Sequence, residues 1–88
     1  MEFDPSQPYG LDPLVAIRPE PFGGLAYHYG NRKLTFLRDP LLVELVRELE
    51  RHPSVDAALE ASPIAPTRWP SFRRALSTLT ESEVVRAR

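Results

Sequence analysis

The chain has 88 residues, enough for one small domain that buries roughly 60 to 65% of the surface exposed when it is unfolded. It contains no cysteine, which excludes disulfides, thiolate nucleophiles and cysteine-ligated zinc and fits a reducing compartment. The formal net charge is -1, and every apolar run falls far short of the ~20 residues that cross a bilayer, so we expect a cytoplasmic protein without membrane contact.

The first 13 residues, MEFDPSQPYGLDP, place three prolines and one glycine among polar residues. This composition disfavours both a helix and a strand ladder, so we predict a flexible or loosely packed arm over residues 1–13 and one folded domain over residues 14–88. The branched apolar run Leu14–Arg18 predicts a first strand, which ends at Pro19. Gly23 and Gly24 then turn the chain.

The segment GGLAYHYGNRKLTFLRDP predicts a β-hairpin with a two-residue loop at Gly30-Asn31 and Gly30 at the first position of a type II′ turn. A four-residue loop through Lys33 would keep the same parity, whereas a three-residue loop would need a bulge to keep the two faces separate. The two-residue loop pairs Tyr27 with Leu34 and Leu25 with Phe36. Because side chains alternate along a strand, these four share one face, which we assign to the core. The opposite face is assigned to solvent and holds Ala26, His28, Lys33 and Thr35.

Helix signals follow the hairpin. Asp39 is the predicted N-cap of a helix that starts at Pro40 and ends before Pro53. Ser54 caps a second helix that runs to about Ala61, and Thr67 caps a third. The inward-facing residues are Val55, Ala58 and Leu59 in the second helix and Phe72, Ala75, Leu76 and Leu79 in the third.

Residues 80–88 allow two interpretations. A capping box at Thr80 and Glu83 could start a separate helical turn, or the third helix could continue. The element order predicts an α+β fold in which a three-stranded antiparallel sheet precedes three helices.

Catalytic chemistry is poorly represented in the sequence. His28 is predicted on the polar face of a strand, and His52 lies at a helix C-terminus where the dipole favours its charged form. No nucleophile with an adjacent base and no phosphate-binding glycine pattern is evident. We therefore expect a binding protein rather than an enzyme.

The last strand, Lys33 to Arg38, forms an edge of the predicted sheet. Its outward amides can accept a partner strand, although Lys33 and Arg38 could equally serve only to block aggregation. On the third helix, Trp69, Arg73, Leu76 and Thr80 lie along one flank of the stripe centred on Phe72. They could line a groove, or Trp69 could close the core behind the PIAP loop while Arg73 is a solvated charge.

Two stretches, RPEPFGGLAYHYGNRKLTFLRDPLLVELV and RWPSFRRALSTL, resemble the mycofactocin biosynthesis peptide chaperones, small relatives of the pyrroloquinoline quinone biosynthesis chaperones. The resemblance covers about Val15 to Val85. It implies a recognition element for ribosomally made, post-translationally modified peptides (a RiPP recognition element), built on a winged helix-turn-helix scaffold. It also implies no catalysis by this chain, and we expect no cofactor or metal on it.

The same resemblance implies that the leader of a ribosomally made precursor peptide adds as a strand to strand three, beside helix three. It implies a second partner, a radical S-adenosylmethionine maturase. Carried over by position, the peptide-binding residues are Lys33, Leu34, Thr35, Phe36, Leu37 and Arg38 on the strand and Trp69, Phe72, Arg73 and Leu76 on the helix.

Two other functional interpretations of the sequence compete with a peptide chaperone. A winged-helix nucleic-acid-binding regulator would use the arginines of helix three for recognition. The net charge of -1 argues against a phosphate-binding surface, so we expect no nucleic-acid partner. A regulatory interaction domain with another target would share the edge strand but not the precursor.

Overall fold

The computed structural model describes residues 2–88; Met1, the first residue of the predicted arm, lies outside the described residues. The described residues form five strands and three α-helices, with short 3-10 turns at Leu49–Arg51 and Pro66–Arg68. The strands are β1 (Tyr9–Leu11), β2 (Val15–Glu20), β3 (Gly23–His28), β4 (Leu34–Leu37) and β5 (Val85–Ala87), and the helices are α1 (Pro40–Glu48), α2 (Val55–Ala61) and α3 (Trp69–Glu81).

Within residues 2–88, β2, β3 and β4 form a three-stranded antiparallel sheet in that order, and β1 pairs with β5 in a separate ribbon. The predicted α+β fold, with a three-stranded sheet followed by three helices, is confirmed. None of the helices formed by these residues is long and apolar enough to cross a membrane. The cytoplasmic location stays a prediction.

The register of the second hairpin is confirmed, but its turn differs from the prediction. Tyr27 lies opposite Leu34 and Leu25 lies opposite Phe36. The loop spans residues 29–32 and is closed by a 3.0 Å bond from the amide of His28 to the carbonyl of Lys33. The left-handed position is Arg32, with φ of 62°, rather than Gly30. The predicted loop of two residues and the observed loop of four are both centred between Gly30 and Asn31, so the register is unchanged.

The two faces of this hairpin are the reverse of the predicted ones. Ala26 and Leu37 are buried, with 1% and 0% of their surface exposed, whereas Leu34 and Phe36 are 60% and 56% exposed. The reason is that α1 lies very close to β3: a Cβ on Gly24 would be 2.9 Å from Cγ2 of Val43. The face against α1 therefore holds small residues near this contact, and the large side chains point outward.

The glycine pair lies inside β3, and the turn that precedes it is Pro21-Phe22. Gly23 has φ of +144°, and a Cβ at this position would be only 2.2 Å from the carbonyl oxygen of Leu37. Gly23 therefore allows the start of β3 to approach the end of β4 closely.

His28 is buried, and its assignment to the solvent face is wrong. Its Nδ1 accepts hydrogen bonds from the amides of Gly30 at 2.9 Å and Asn31 at 3.1 Å. An Nδ1 that accepts two amides carries no proton, so the ring proton is on Nε2, which lies 3.7 Å from Oδ2 of Asp12. The imidazole thus satisfies the backbone of the hairpin turn from inside the fold.

The predicted caps of the first two helices are confirmed. Oδ1 of Asp39 accepts from the amide of Leu41 at 2.9 Å, and Oγ of Ser54 accepts from the amide of Ala57 at 3.0 Å. The predicted cap at Thr67 is wrong, because α3 begins at Trp69 after a 3-10 turn that contains Thr67. A proline at the second position of α3, where no intrahelical donor is required, permits this later start.

The two ends of the chain meet in a ribbon that is not predicted. Tyr9 lies opposite Ala87 and Leu11 opposite Val85, so the expectation that residues 1–13 form no ladder is wrong for β1. α3 continues to Glu81, and residues 82–88 neither extend it further nor form another helical turn, because Glu83 adopts a left-handed φ of 65° before β5. Tyr9 and Val85 are buried, which stabilises this pairing. The division of the chain at residue 13 stays a prediction.

Candidate functional site

One side of β4 is open among the described residues, because the sheet order is β2-β3-β4. The hydrogen bond from His28 to Lys33 marks those two residues as a bonded pair. Bonded pairs alternate in an antiparallel ladder, so Thr35 and Leu37 also bond to β3. Leu34 and Phe36 consequently direct their N–H and C=O groups away from the sheet, about 6.8 Å apart along the strand.

A small cavity of about 140 Å³ opens beside the C-terminal end of β4, between the first turns of α1 and α3. It begins at Asp39, two residues after β4. Its floor is apolar and one wall carries a cation. The lining residues are Asp39, Leu42, Arg68, Ser71, Phe72 and Ala75.

Arg68 joins the two helices at this cavity. Its Nη2 lies 2.9 Å from Oδ2 of Asp39, and its guanidinium group lies 5.0 Å from the centre of the Phe72 ring. The Arg68 side chain is half exposed. It can therefore meet a ligand in the cavity while it holds the N-termini of α1 and α3 together.

Of the four residues predicted on the helix side, the structure brings Phe72 to this cavity. Trp69 donates from Nε1 to the carbonyl of Ile64 at 3.0 Å and closes the core behind the PIAP loop. Arg73 binds Oδ1 of Asp56 on α2 through Nε at 3.0 Å and Nη2 at 2.9 Å. Leu76 is fully buried. Trp69 and Arg73 thus contact residues outside the cavity, and Leu76 belongs to the core.

Sequence reasoning missed Arg68, Ser71 and Ala75 because a helical stripe has two flanks. Steps of 100° place Trp69 and Arg73 on one flank of Phe72, and Arg68, Ser71 and Ala75 on the other. Helical spacing does not distinguish the flanks, and the position of α1 decides which one lines the cavity. The ion pair between Arg68 and Asp39 spans 29 residues and leaves no local signal.

The six residues predicted on the strand lie together, with Leu34–Leu37 forming β4 and Lys33 and Arg38 at its ends. Leu37 is buried, so its side chain is not available to a partner. The Phe36 side chain lies on the exposed face of the sheet, where two neighbours hold it in place. The Phe22 ring meets it edge-to-face at 5.8 Å, and the Arg38 guanidinium group lies 5.2 Å from its centre.

Positive charge marks both ends of β4. Arg32 and Lys33 precede the strand, and Arg38 follows it; all three are exposed. Among the described residues none of the three forms a salt bridge. A partner that lies along β4 therefore meets cations at each end, which favours a segment that carries carboxylates.

An open edge strand beside an apolar cavity is typical of domains that bind an extended peptide by strand addition. Comparison with known proteins identifies the family. The chain belongs to the peptide chaperone MftB family of mycofactocin biosynthesis, whose family model matches residues 8–86.

Two relatives illustrate the similarity. The chain is 42% identical to peptide chaperone MftB of Mycolicibacterium smegmatis over 83 residues, which cover 94% of this chain and 81% of the relative. It is 38% identical to peptide chaperone MftB of Mycobacterium tuberculosis over 84 residues, which cover 96% and 77%. The predicted resemblance is confirmed, and so is the prediction that the chain is not an enzyme, because the family consists of peptide chaperones.

Two solved structures share the fold. They are E. coli MccB with succinimide and E. coli MccB with AMPCPP and MccA, each with a TM-score of 0.57 and 23% identity. The match covers 88% of this chain but only 22% of the MccB chain. At this identity the likeness establishes the arrangement of strands and helices and nothing further.

Proposed function

We propose that this chaperone binds the leader of a ribosomally synthesised precursor peptide as an additional strand on β4 and presents it to a radical S-adenosylmethionine maturase. The observation that carries the proposal is the pair of outward-facing backbone groups at Leu34 and Phe36. Two such residues on an open edge offer up to four main-chain hydrogen bonds to a partner strand. Family membership supports a peptide as the ligand.

Strand geometry determines which side chains of the peptide would project toward the cavity and which would lie on the outer side of the sheet. Peptide residues directly opposite Leu34 and Phe36 project to the outer side of the sheet, and the residues between them project toward Phe72 and Leu42. The apolar floor of the cavity suits branched aliphatic side chains. The cations Arg38 and Arg68 suit carboxylates near them, which agrees with an acidic leader that contains apolar residues.

On the helix side, the peptide contacts Phe72 together with Arg68, Ser71 and Ala75, which line the cavity. Trp69 and Arg73 have structural roles instead, through their contacts with Ile64 and Asp56. Leu76 contributes as part of the core beneath Phe72.

The test replaces an outward amide with proline. Leu34→Pro removes one donor that faces away from β3, whereas the matched control Thr35→Pro removes a donor that bonds to β3. Fluorescence anisotropy with a labelled leader peptide should show at least about a fivefold loss of affinity for Leu34→Pro, corresponding to about 1 kcal/mol for one main-chain hydrogen bond. Circular dichroism must show that the Leu34→Pro fold is retained. A folded variant with the affinity of the parent would contradict the proposal.

A further inference from the structure

The large hydrophobic side chains that are exposed in residues 2–88 all lie on the three-stranded sheet or its turns: Leu14, Phe22, Tyr29, Leu34 and Phe36. The ladder register places Ala16, Tyr27 and Leu34 in one row and Arg18, Leu25 and Phe36 in the next. We call the surface formed by these two rows, together with Leu14, Phe22 and Tyr29 at its border, the outer face. The outer face is turned away from the helices.

The outer face is a shaped surface rather than a set of scattered side chains. Tyr27 and Tyr29 pack edge-to-face at 4.8 Å, and Phe22 and Phe36 do so at 5.8 Å. A depression of about 360 Å³ lies beside the tyrosine pair, and its lining residues are Ala16, Ile17, Arg18, Leu25, Tyr27, Tyr29 and Leu34. Contiguous exposed apolar surface of this kind marks a protein interaction site.

A leader on the β4 edge cannot cover this surface. Neighbouring strands lie about 4.8 Å apart, so the outward side chains of an added strand reach Leu34 and Phe36 but not the far strand. Tyr29, which is 64% exposed, bonds through its amide to the carbonyl of Leu14, at the start of β2. Leu14 therefore lies two strand spacings from β4, and Tyr29, at the end of β3, lies one spacing from it. A second binding partner is therefore needed to cover Leu14 and Tyr29.

The charges at the border of the outer face favour a different protein, rather than a second copy of this chain, as the binding partner. Arg38 borders the β4 side of the face beside Phe36, Arg32 lies in the adjoining turn, and Arg18 lies on β2 beside its partner Glu20. An isologous dimer that places the two β4 edges together would bring Arg32 and Arg38 against their own copies. A partner with an apolar patch bordered by carboxylates is complementary.

We infer that the outer face is the docking surface for the maturase, separate from the leader site on the β4 edge. This inference rests on the proposed function, because it takes the maturase as the protein that must receive the held peptide. Leu34 and Phe36 belong to both surfaces: their backbones face the leader and their side chains face outward. A maturase on the outer face would therefore contact the chaperone next to the bound leader.

The test separates the two surfaces with variants that lie outside β4 itself. Tyr29→Glu and Leu14→Glu place a carboxylate in the patch at exposed positions, and Ala61→Glu at the exposed end of α2 is the matched control. Affinity for the purified maturase is measured by isothermal titration, and affinity for a labelled leader peptide by anisotropy. We expect each patch variant to lose at least about tenfold in maturase affinity. Leader affinity should stay within about twofold, and Ala61→Glu should match the parent in both assays.

Other outcomes overturn the inference in distinct ways. Maturase affinity within about twofold of the parent in both folded patch variants would remove the outer face as the docking surface, with the proposed function intact. Loss of leader binding in the same folded variants would mean that the patch belongs to the leader site. A parent dimer in sedimentation that Tyr29→Glu dissociates would assign the face to a second copy. A parent that binds neither partner would contradict both the inference and the proposed function.

Discussion

Arg68 at the start of α3 and Asp39 at the N-cap of α1 form an ion pair of 2.9 Å. Asp39 uses its two carboxylate oxygens differently: Oδ1 caps α1 through the amide of Leu41, and Oδ2 receives Arg68. The pair links the first turns of the two helices at the wall of the cavity beside β4. The same arginine thus has a structural partner and an exposed side that can meet a peptide.

We predict that Arg68→Gln weakens leader binding by about three- to tenfold, because it removes the cation beside the peptide while it leaves a polar side chain in the wall. The unfolding free energy should change by less than about 1 kcal/mol, since the pair is partly exposed. Arg73→Gln is the matched control, because Arg73 is paired with Asp56 outside the cavity. Equal losses of leader affinity in the two variants would contradict the placement of the site.

Gly24 provides a test of how closely α1 packs on the sheet. Gly24→Ala should destabilise the fold by about 1 to 3 kcal/mol, because the new Cβ would overpack the contact with Val43. Gly10→Ala is the control: its nearest neighbour would be the Cδ methylene of Arg88 at 3.4 Å, which is an ordinary van der Waals contact. Denaturant unfolding of both variants measures the difference, and equal midpoints would contradict the close packing.

The reversed hairpin faces lead to a paired prediction. Leu37→Ala should cost about 2 to 5 kcal/mol in unfolding free energy, because Leu37 is fully buried. Phe36→Ala should cost less than about 1 kcal/mol, because more than half of Phe36 is already in water. Thermal or urea unfolding distinguishes the two, and a larger loss for Phe36→Ala would restore the original face assignment.

These faces illustrate what sequence alone can and cannot predict here. The alternation of large and small residues from Leu25 to Phe36 predicts the register, since register depends on parity and turn length. The side that receives α1 depends on tertiary packing, and Gly24 with Ala26 was the available signal: small residues on one face permit a close helix. The caps at Asp39 and Ser54 were predictable because capping is local.

The features that were not predicted depend on distant parts of the chain. The ribbon of β1 and β5 joins residues 9–11 to residues 85–87, and neither segment has the length of an ordinary strand. The same applies to His28, whose role as acceptor for the turn amides depends on its burial. The local strand or helix propensity of a segment carries no information on such distant contacts.

The alternative of nucleic-acid binding gives a further prediction. Two of the three arginines at the start of α3, Arg68 and Arg73, are engaged with Asp39 and Asp56. These carboxylates offset the charge that a recognition helix would present to phosphate. We therefore expect no saturable binding of random duplex DNA below roughly 100 µM at physiological salt. Salt-sensitive binding at micromolar protein would contradict this expectation.

Strand addition of a leader peptide at the open edge of β4 can be followed residue by residue through amide hydrogen exchange measured by NMR. The amides of Leu34 and Phe36 face outward, whereas those of Thr35 and Leu37 bond to β3 and serve as internal controls. On saturation with the leader, exchange at Leu34 and Phe36 should slow by at least about tenfold, with a much smaller change at Thr35 and Leu37. Saturating leader that leaves exchange at Leu34 and Phe36 unchanged would contradict strand addition at this edge.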